Sequence, residues 1–559
     1  MNLANRYLDK ENFDSYEDFC RGLRIKVPES FNFAFDIIDE YARLEPERKA
    51  LVWCNDHEEE KTFTFLDLKK WSSKTANYLK SLGIKKGDRV MLILRRRYEF
   101  YFFALALSRI GAVYIPCTDQ LKENDIIYRA NASGAKMVVS FADTDVAECV
   151  ERSLDESPTV DKLVMVGGNR DGWLCYDEDI KSFPEEFPRP QGEEAPQNND
   201  LMIIYFTSGT TSMPKMACHD FTYPLGHIVT AKYWQRVVEN GLHLTVADSG
   251  WAKFGWGKIY GQWICGAVQF VYDMDRFVPE RLLEVMQKYR LSTFCAPPTI
   301  YRFLIHHDLE KYDLSSLVHC STAGEPLNPQ VFYTWERVTG LKIYNGFGQT
   351  ETTVLVANYE WLETHPGSMG MPNPAYNIDI VDEEGKSVPV GVEGELVVRD
   401  VDTNKPVGLF TGYYRDEEAT RRVWHDNIYH TGDVVYKDEY GLLWFVGRND
   451  DVIKASGYRI SPFEVESALI EHPAVVECAV TGAPDPIRGT VVKATIVLAK
   501  GYTPSEELKK DIQDYVKRVT APYKYPRIIE FVDELPKTIS GKIKRAHIRK
   551  VDHGEEVQE

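Results

Sequence analysis

Residues Leu201–Phe206 are apolar at every position and run straight into a string of hydroxyl and glycine positions, Thr207-Ser208-Gly209-Thr210-Thr211-Ser212-Met213-Pro214-Lys215. A strand with no polar face must be buried on both sides, the condition of a parallel sheet covered by helices. Val90–Leu94 is apolar in the same way, after the turn Gly87-Asp88-Arg89. Before it, Leu68, Trp71, Thr75, Tyr78, Leu79 and Leu82 recur at helical spacing and stop at Gly83. Phe100–Ile110 reads as the next helix and Ala112–Ile115 as the next strand. This βαβ rhythm predicts layered α/β units.

At roughly 150 residues per domain, 559 residues suggest three or four folding units. The Pro- and Glu-rich stretch Phe183–Asp200 reads as a linker or surface loop, with a second α/β unit after it. From about Tyr376 short strands (Ile378–Val381, Gly394–Val398, Leu442–Phe445) predict a small β-rich piece. Further on, Ser461-Pro462-Phe463-Glu464 is a capping box with proline at the first helical position, and Thr503-Pro504-Ser505-Glu506 repeats the device. Strand candidates Val475–Val480 and Val491–Leu498 lie between them, an α+β pattern. The expected architecture is α/β and α+β multidomain. A large N-terminal domain, 1–447, divides near 1–200, 201–375 and 376–447; a junction at 448–452 leads to a small C-terminal domain, 453–559.

The chain carries 66 basic and 85 acidic residues, a net charge of -19, which argues against a general nucleic-acid binder. From Arg448 onward the two signs balance at 18 each, so the net negative charge belongs to the rest. Within Lys517–Lys550 ten basic residues face three acidic ones, either a solvated face or a phosphate site. No apolar run approaches the roughly 18 residues of a membrane span. The N-terminus has neither the cationic start and apolar core of a signal peptide nor the composition of a transit peptide. Ten scattered cysteines form no Cys-x-x-Cys pair and read as reduced thiols. A soluble, cytoplasmic protein is the expectation.

Hydroxyls, backbone N–H groups and a lysine make Thr207–Lys215 a cradle for polyphosphate. Its glycine spacing is not that of the Gly-x-x-x-x-Gly-Lys-Ser/Thr loop. It resembles the phosphate loop of the adenylate-forming superfamily, which includes acyl-CoA synthetases, luciferases and peptide-synthetase adenylation domains; Ser212 stands where glycine is usual. Other motifs follow in that family's order. Ala323-Gly324-Glu325-Pro326-Leu327 resembles the turn against adenine. Asn345-Gly346-Phe347-Gly348-Gln349-Thr350-Glu351-Thr352 resembles the aromatic-Gly-Gln-Thr-Glu block, with Phe347 where tyrosine is commoner. Tyr429-His430-Thr431-Gly432-Asp433 resembles the ribose block, Gly447–Ile460 the domain junction, and Pro536-Lys537-Thr538-Ile539-Ser540-Gly541-Lys542-Ile543 the loop of the catalytic lysine.

The resemblance implies ATP contacts at Thr207, Ser208, Gly209, Thr210, Thr211, Ser212, Lys215, Gly324, Glu325, Pro326, Asn345, Gly346, Phe347, Gly348, Gln349, Thr350, Asp433, Arg448 and Lys542. Lys542, Thr350 and Glu351 are the implied catalytic residues, with Glu351 the ligand of Mg²⁺, for which a carboxylate is the right hard donor. Asp450 falls at the implied hinge of a mobile C-terminal domain. Trp251-Ala252-Lys253 and Thr520–Arg527 are most similar to medium-chain acyl-CoA synthetases. That likeness implies CoA contacts at Gln120, Ser456, Gly457, Tyr458, Arg488, Lys517, Tyr525, Pro526 and Arg527, and an acyl site at Trp251, Phe254, Trp256, Thr350 and Arg459. The implied activity is an AMP-forming acid–thiol ligase that converts a short- to medium-chain acid, branched acids included, to its CoA thioester. Its partners are small molecules: the acid, ATP and CoA. The alternatives are an adenylating enzyme that hands its acyl group to a carrier protein or another acceptor, and a nucleotide-binding scaffold without turnover. The sequence leaves the oligomeric state open, a homodimer included.

Overall fold

The computed structural model describes residues 2–142, 144–207, 213–325, 327–455, 458–485, 488–538 and 542–554. The chain forms two compact units. The first is built from the chain up to Thr207, Lys215–Asn377 and Asp400–Arg422. It contains two largely parallel sheets.

In one, β1 (Leu201–Phe206) lies beside Val113–Pro116, with Arg89–Ile93, Met137–Phe141 and Lys162–Val166 beyond, all parallel. β2 (Met216–Asp220) folds back antiparallel on β1, and the short strand Gly412–Tyr413 pairs with β2. The apolar strands are buried as their composition requires. The helix Phe65–Ser81 begins with a reciprocal cap between Thr64 and Asp67, and Phe183–Asp200 is a surface strap rather than a link between units. There Asn198 donates to the Pro28 carbonyl at 2.7 Å and accepts from Phe31 N–H at 2.8 Å.

In the other sheet the parallel strands β3 (His319–Ala323) and β4 (Ile343–Phe347) are neighbours, and Thr293–Ala296 lies on the far side of β3. Two short helices, α1 (Tyr223–Val229) and α2 (Ala252–Gly257), belong to this unit, and α2 carries Phe254 and Trp256.

The second unit gathers Ile378–Arg399 and the chain from Val423 onward. The β-rich piece expected inside the large domain therefore falls in the same unit as the C-terminal residues. Its strands Gly394–Arg399, β5 (Ile428–Lys437) and β6 (Leu443–Arg448) are antiparallel neighbours. Helix α3 (Pro462–Ile470) is capped by Ser461, whose hydroxyl accepts from Glu464 N–H at 3.3 Å. β7 (Val475–Asp485) and β8 (Gly489–Leu498) form a long antiparallel pair. The cap of α4 (Glu506–Val519) is Ser505, not Thr503: the Ser505 hydroxyl accepts from Leu508 N–H, and the apolar positions Ile512 and Val516 fix the helix phase. β9 (Ile528–Phe531) adds parallel to β8. The closing helix α5 (Arg545–Asp552) is tied by charge at three points, Arg545 to Glu466, Arg549 to Asp451 and Asp552 to Lys493.

Candidate active site

The register of β3 and β4 pairs Thr322 with Asn345 and Ala323 with Gly346. Both strands thus end at one edge, and the Gly324 turn and the Gly346–Glu351 block leave the sheet side by side. Open α/β sheets bind ligands beyond such carboxyl ends. Gly324 has φ +102, a conformation that only glycine adopts without strain. Glu325 accepts from the Thr299 hydroxyl at 2.7 Å, while Pro326 lies outside the described residues. Asn345 is structural on at least one side: its amide donates to the Ser368 carbonyl at 3.1 Å, and its N–H to Asn358 at 2.9 Å. Gln349 N–H donates to the Thr352 hydroxyl at 3.0 Å.

The Thr350 carbonyl receives a 2.8 Å bond from His219 Nε2. A carbonyl only accepts, so the proton sits on Nε2. Burial pushes the His219 imidazole down to about 4, the Thr350 bond opposing it, so the ring is neutral near pH 7. Glu351 accepts from the Tyr413 hydroxyl at 2.7 Å. The face of the same tyrosine meets the Lys215 ammonium, 4.9 Å from the ring centroid. Thr207 N–H donates to the Lys215 carbonyl at 2.8 Å, closing the base of the phosphate string. The expected contacts at Ser208, Gly209, Thr210, Thr211 and Ser212 lie outside the described residues. Tyr413 thus joins the expected metal ligand to the expected phosphate cation. Among the described residues no cluster of three or more His, Cys, Asp or Glu forms a metal cage. A lone carboxylate fits Mg²⁺, which keeps water and substrate phosphate as its other ligands.

Of the aromatics expected at the acyl site, Trp251 caps α2 and Trp256 meets Trp234 edge-on at 6.0 Å. Phe254 packs into the core against Phe100 at 4.6 Å and Tyr101 at 5.5 Å. Gln120 is exposed on the loop after Val113–Pro116.

In the second unit Asp433 is buried and faces Arg448 across β5 and β6. Arg448 donates to Asp433 at 3.3 Å and to the Thr431 carbonyl at 3.0 Å. The turn before Asp433 is held by Glu395, which accepts from Gly432 N–H at 2.8 Å and lies 3.0 Å from His430 Nδ1. Burial acts to raise the Glu395 carboxyl, yet these hydrogen bonds hold it below its usual range. Arg459 pairs with Glu393 at 3.3 Å. Lys542 is exposed; its carbonyl accepts from Thr538 N–H, its N–H donates to the Thr538 hydroxyl, and Lys537 bridges to Ile543, while residues 539–541 lie outside the described residues.

Most of the residues expected at CoA converge. Tyr458, Arg488, Tyr525 and Arg527 line a cavity of about 110 Å³ with Tyr523, which stacks on Tyr458 at 4.1 Å. Arg527 donates to the Tyr525 hydroxyl at 2.8 Å, the Lys517 ammonium lies 4.3 Å from the Tyr525 centroid, and the Pro526 carbonyl accepts from Gln513. Ser456 and Gly457 lie outside the described residues.

Residues 38–414 match the family described as AMP-binding enzyme, and 464–542 its C-terminal domain. The chain belongs to the AMP-binding enzymes. Acyl-coenzyme A synthetase ACSM3, mitochondrial, of Rattus norvegicus is 42% identical over 97% of this chain and 94% of its own length. Acyl-coenzyme A synthetase ACSM4, mitochondrial, of the same animal is 44% identical over 94% and 92%. Among solved structures, an anthranilate CoA ligase with anthranoyl-AMP matches with a TM-score of 0.85 at 29% identity, covering 94% of this chain and 98% of that one. An acyl-CoA synthetase of Brucella canis matches with a TM-score of 0.74 at 31% identity, covering 97% and 99%. Within the family this chain is one of the acyl-CoA synthetases, ATP-dependent ligases with small-molecule substrates.

The expected cytoplasmic location is corrected by these relatives, which are mitochondrial by name. Free thiols suit any reducing compartment and do not choose among them, which is why composition misled. No helix among the described residues is long and apolar enough to cross a membrane. Sequence reasoning did not single out Tyr413 and His219, which stand beside expected site residues in the first unit, nor Glu395 and Tyr523, which do so in the second. Only Tyr523 left a signal, as part of the Thr520–Arg527 string.

Proposed function

We propose that this acyl-CoA synthetase activates short- to medium-chain carboxylic acids, branched acids included, and passes the acyl group to free CoA. The observation that favours CoA over a carrier protein is the cavity that Tyr458, Tyr525, Arg488 and Arg527 line together. Stacked rings beside guanidinium groups suit a purine flanked by phosphates. In the first half-reaction the acid carboxylate attacks the α-phosphate of ATP and pyrophosphate leaves. Lys215 and the Thr207–Ser212 string hold the leaving phosphates. Glu351, oriented by Tyr413, would hold Mg²⁺, which would supply charge neutralisation on the phosphate oxygens. Asp433 and Arg448 take the ribose end of the nucleotide. Lys542 supplies positive charge where the α-phosphate becomes more negative, and such preorganised charge dominates the catalysis of this step. The CoA thiol then attacks the acyl-adenylate and AMP leaves. A C-terminal domain turning at Asp450 presents Lys542 in the first half and the CoA cavity in the second. The bulk of Trp256 favours a compact acyl tail. The compartment proposed is that of the named relatives, the mitochondrion.

A panel of straight and branched acids of two to twelve carbons, with ATP and CoA, tests the reading. Thioester, AMP and pyrophosphate are expected in equal amounts, with preference for the shorter acids. Acyl-adenylate that accumulates with free CoA present, and moves only to a carrier protein, would overturn it.

A further inference from the structure

Strand β2 begins at the residue after Lys215 and pairs with β1 on one side and with Gly412–Tyr413 on the other. The Thr350–Glu351 turn is tied to these strands and to the segment beside them at both of its carbonyls. His219 Nε2, on β2, donates to the Thr350 carbonyl at 2.8 Å, and Phe410 N–H donates to the Glu351 carbonyl at 2.8 Å. The next residue, Thr411, donates its N–H to the Cys218 carbonyl of β2, again at 2.8 Å. Because a peptide is planar and trans, its N–H points opposite to its carbonyl. The bond from His219 therefore also sets the direction of the Glu351 N–H.

The His219 ring is fully buried and gripped from two sides. It stacks on Tyr223 of α1 with centroids 3.9 Å apart and meets the edge of Tyr205 of β1 at 5.9 Å. Its Nδ1 has no hydrogen-bond partner among the described residues. A buried nitrogen left unpaired costs stability, so packing alone would be served better by an apolar side chain. An apolar side chain could not donate to Thr350. We propose that His219 is a positioning residue for adenylation, fixing the Thr350–Glu351 peptide against the strand that follows the phosphate string. The inference rests on the reading of Thr350 and Glu351 as residues of the first half-reaction. Groups aimed at the α-phosphate must be in place before its charge develops, and a misplacement of about 1 Å can cost a hundredfold in rate. Pyrophosphate has left before the CoA thiol attacks, so the second half-reaction does not depend on this bond.

The test compares His219→Asn and His219→Gln with wild type. A glutamine amide nitrogen reaches the place of Nε2 and can donate to Thr350, whereas an asparagine amide stops at the place of Nδ1. Adenylation, read as acid-dependent exchange of pyrophosphate into ATP, is expected to fall about tenfold to a hundredfold in kcat for His219→Asn. The KM for the acid should stay within about twofold, and His219→Gln should keep adenylation within about threefold of wild type. Calorimetric binding of Mg·ATP without the acid should weaken about threefold to tenfold in His219→Asn and recover in His219→Gln. Both variants should form thioester from supplied acyl-adenylate at rates within about twofold of wild type. If His219 only fills the core, the two variants would lose both half-reactions together, in step with their melting temperatures. That result, or unchanged adenylation or Mg·ATP binding in His219→Asn, overturns the inference. Absence of acid-dependent AMP formation in the wild type would instead overturn the function itself.

Discussion

The centre of the first unit and the closing helix of the second bury ionisable side chains by opposite means. In the first unit His219, His243 and His319 are fully buried, and burial pushes them down to about 4, 3 and 3. Each ring is neutral and hydrogen-bonded: His219 to the Thr350 carbonyl, His243 to Thr293 and Thr245, His319 to the Trp234 carbonyl. On α5 the charges are kept and matched, Arg545 with Glu466, Arg549 with Asp451, Asp552 with Lys493. A neutral ring inside a sheet needs only a local partner, whereas a buried charge needs a counter-ion. An eight-residue helix is too short to persist alone. The three pairs lock it to α3, the junction turn and β8, so the Lys542 loop that precedes it has a firm base.

The contrast can be broken most severely at Arg545. Arg545→Met leaves the Glu466 carboxylate buried without its counter-ion and should cost about 3–5 kcal/mol. Denaturant unfolding of the full chain is the measurement, and Arg545→Met with Glu466→Leu should recover much of the loss. If the single change is neutral, α5 is not held by charge.

Lys542→Ala removes the cation that this base carries, and adenylation should fall by about 10²–10³. Thioester formation from supplied acyl-adenylate should survive. Equal loss in both halves would remove Lys542 from the first step.

Asp450→Pro tests where the locked body ends. Arg448 is held by Asp433 and Thr431, Asn449 N–H by the Gly432 carbonyl, and Asp451 by Arg549. Asp450 lies between anchored neighbours, where a pivot would have to act. Fixing its φ should slow thioester formation by about tenfold, or 1.4 kcal/mol of barrier, and spare adenylation. Stopped-flow assays of the two halves in which neither slows would exclude a pivot at 450.

The last test is the acid sensitivity of the neutral rings. Folded His219 titrates near 4 and the unfolded side chain near 6.5. Between those values the unfolded state binds more protons, so stability is full above 6.5 and falls as pH drops toward 4. His219→Gln should flatten that part of the stability curve, measured as unfolding free energy at pH 7 and pH 5. An unchanged slope would mean that the buried ring contributes nothing to it.

Local signals read correctly where the interaction itself was local. The apolar run at Leu201–Phe206, the stop at Gly83 and the cap at Ser461 each rest on neighbours within a few residues, and each is found. The cap misplaced at Thr503 shows the limit: two hydroxyls near one helix start are equivalent until the packing of Ile512 and Val516 selects the phase. The grouping of the β-rich piece with the C-terminal residues was equally hidden, because strand pairing between distant segments has no sequence period.

The order of motifs, from Thr207–Lys215 through Glu351 and Asp433 to Lys542, was fixed by the sequence alone, and with it the family and the chemistry. What the tertiary structure decided is which side chains stand beside those motifs. Tyr413 meets Glu351 across 62 residues, Lys253 meets Ala323 across 70 and His219 meets Thr350 across 131. Helix and strand periodicities reach only to i+4, so no local rule could pair these residues. They meet because the antiparallel strands that carry His219 and Tyr413 in one sheet lie against the block that follows β4 in the other, and α2 lies against the end of β3, within the same unit.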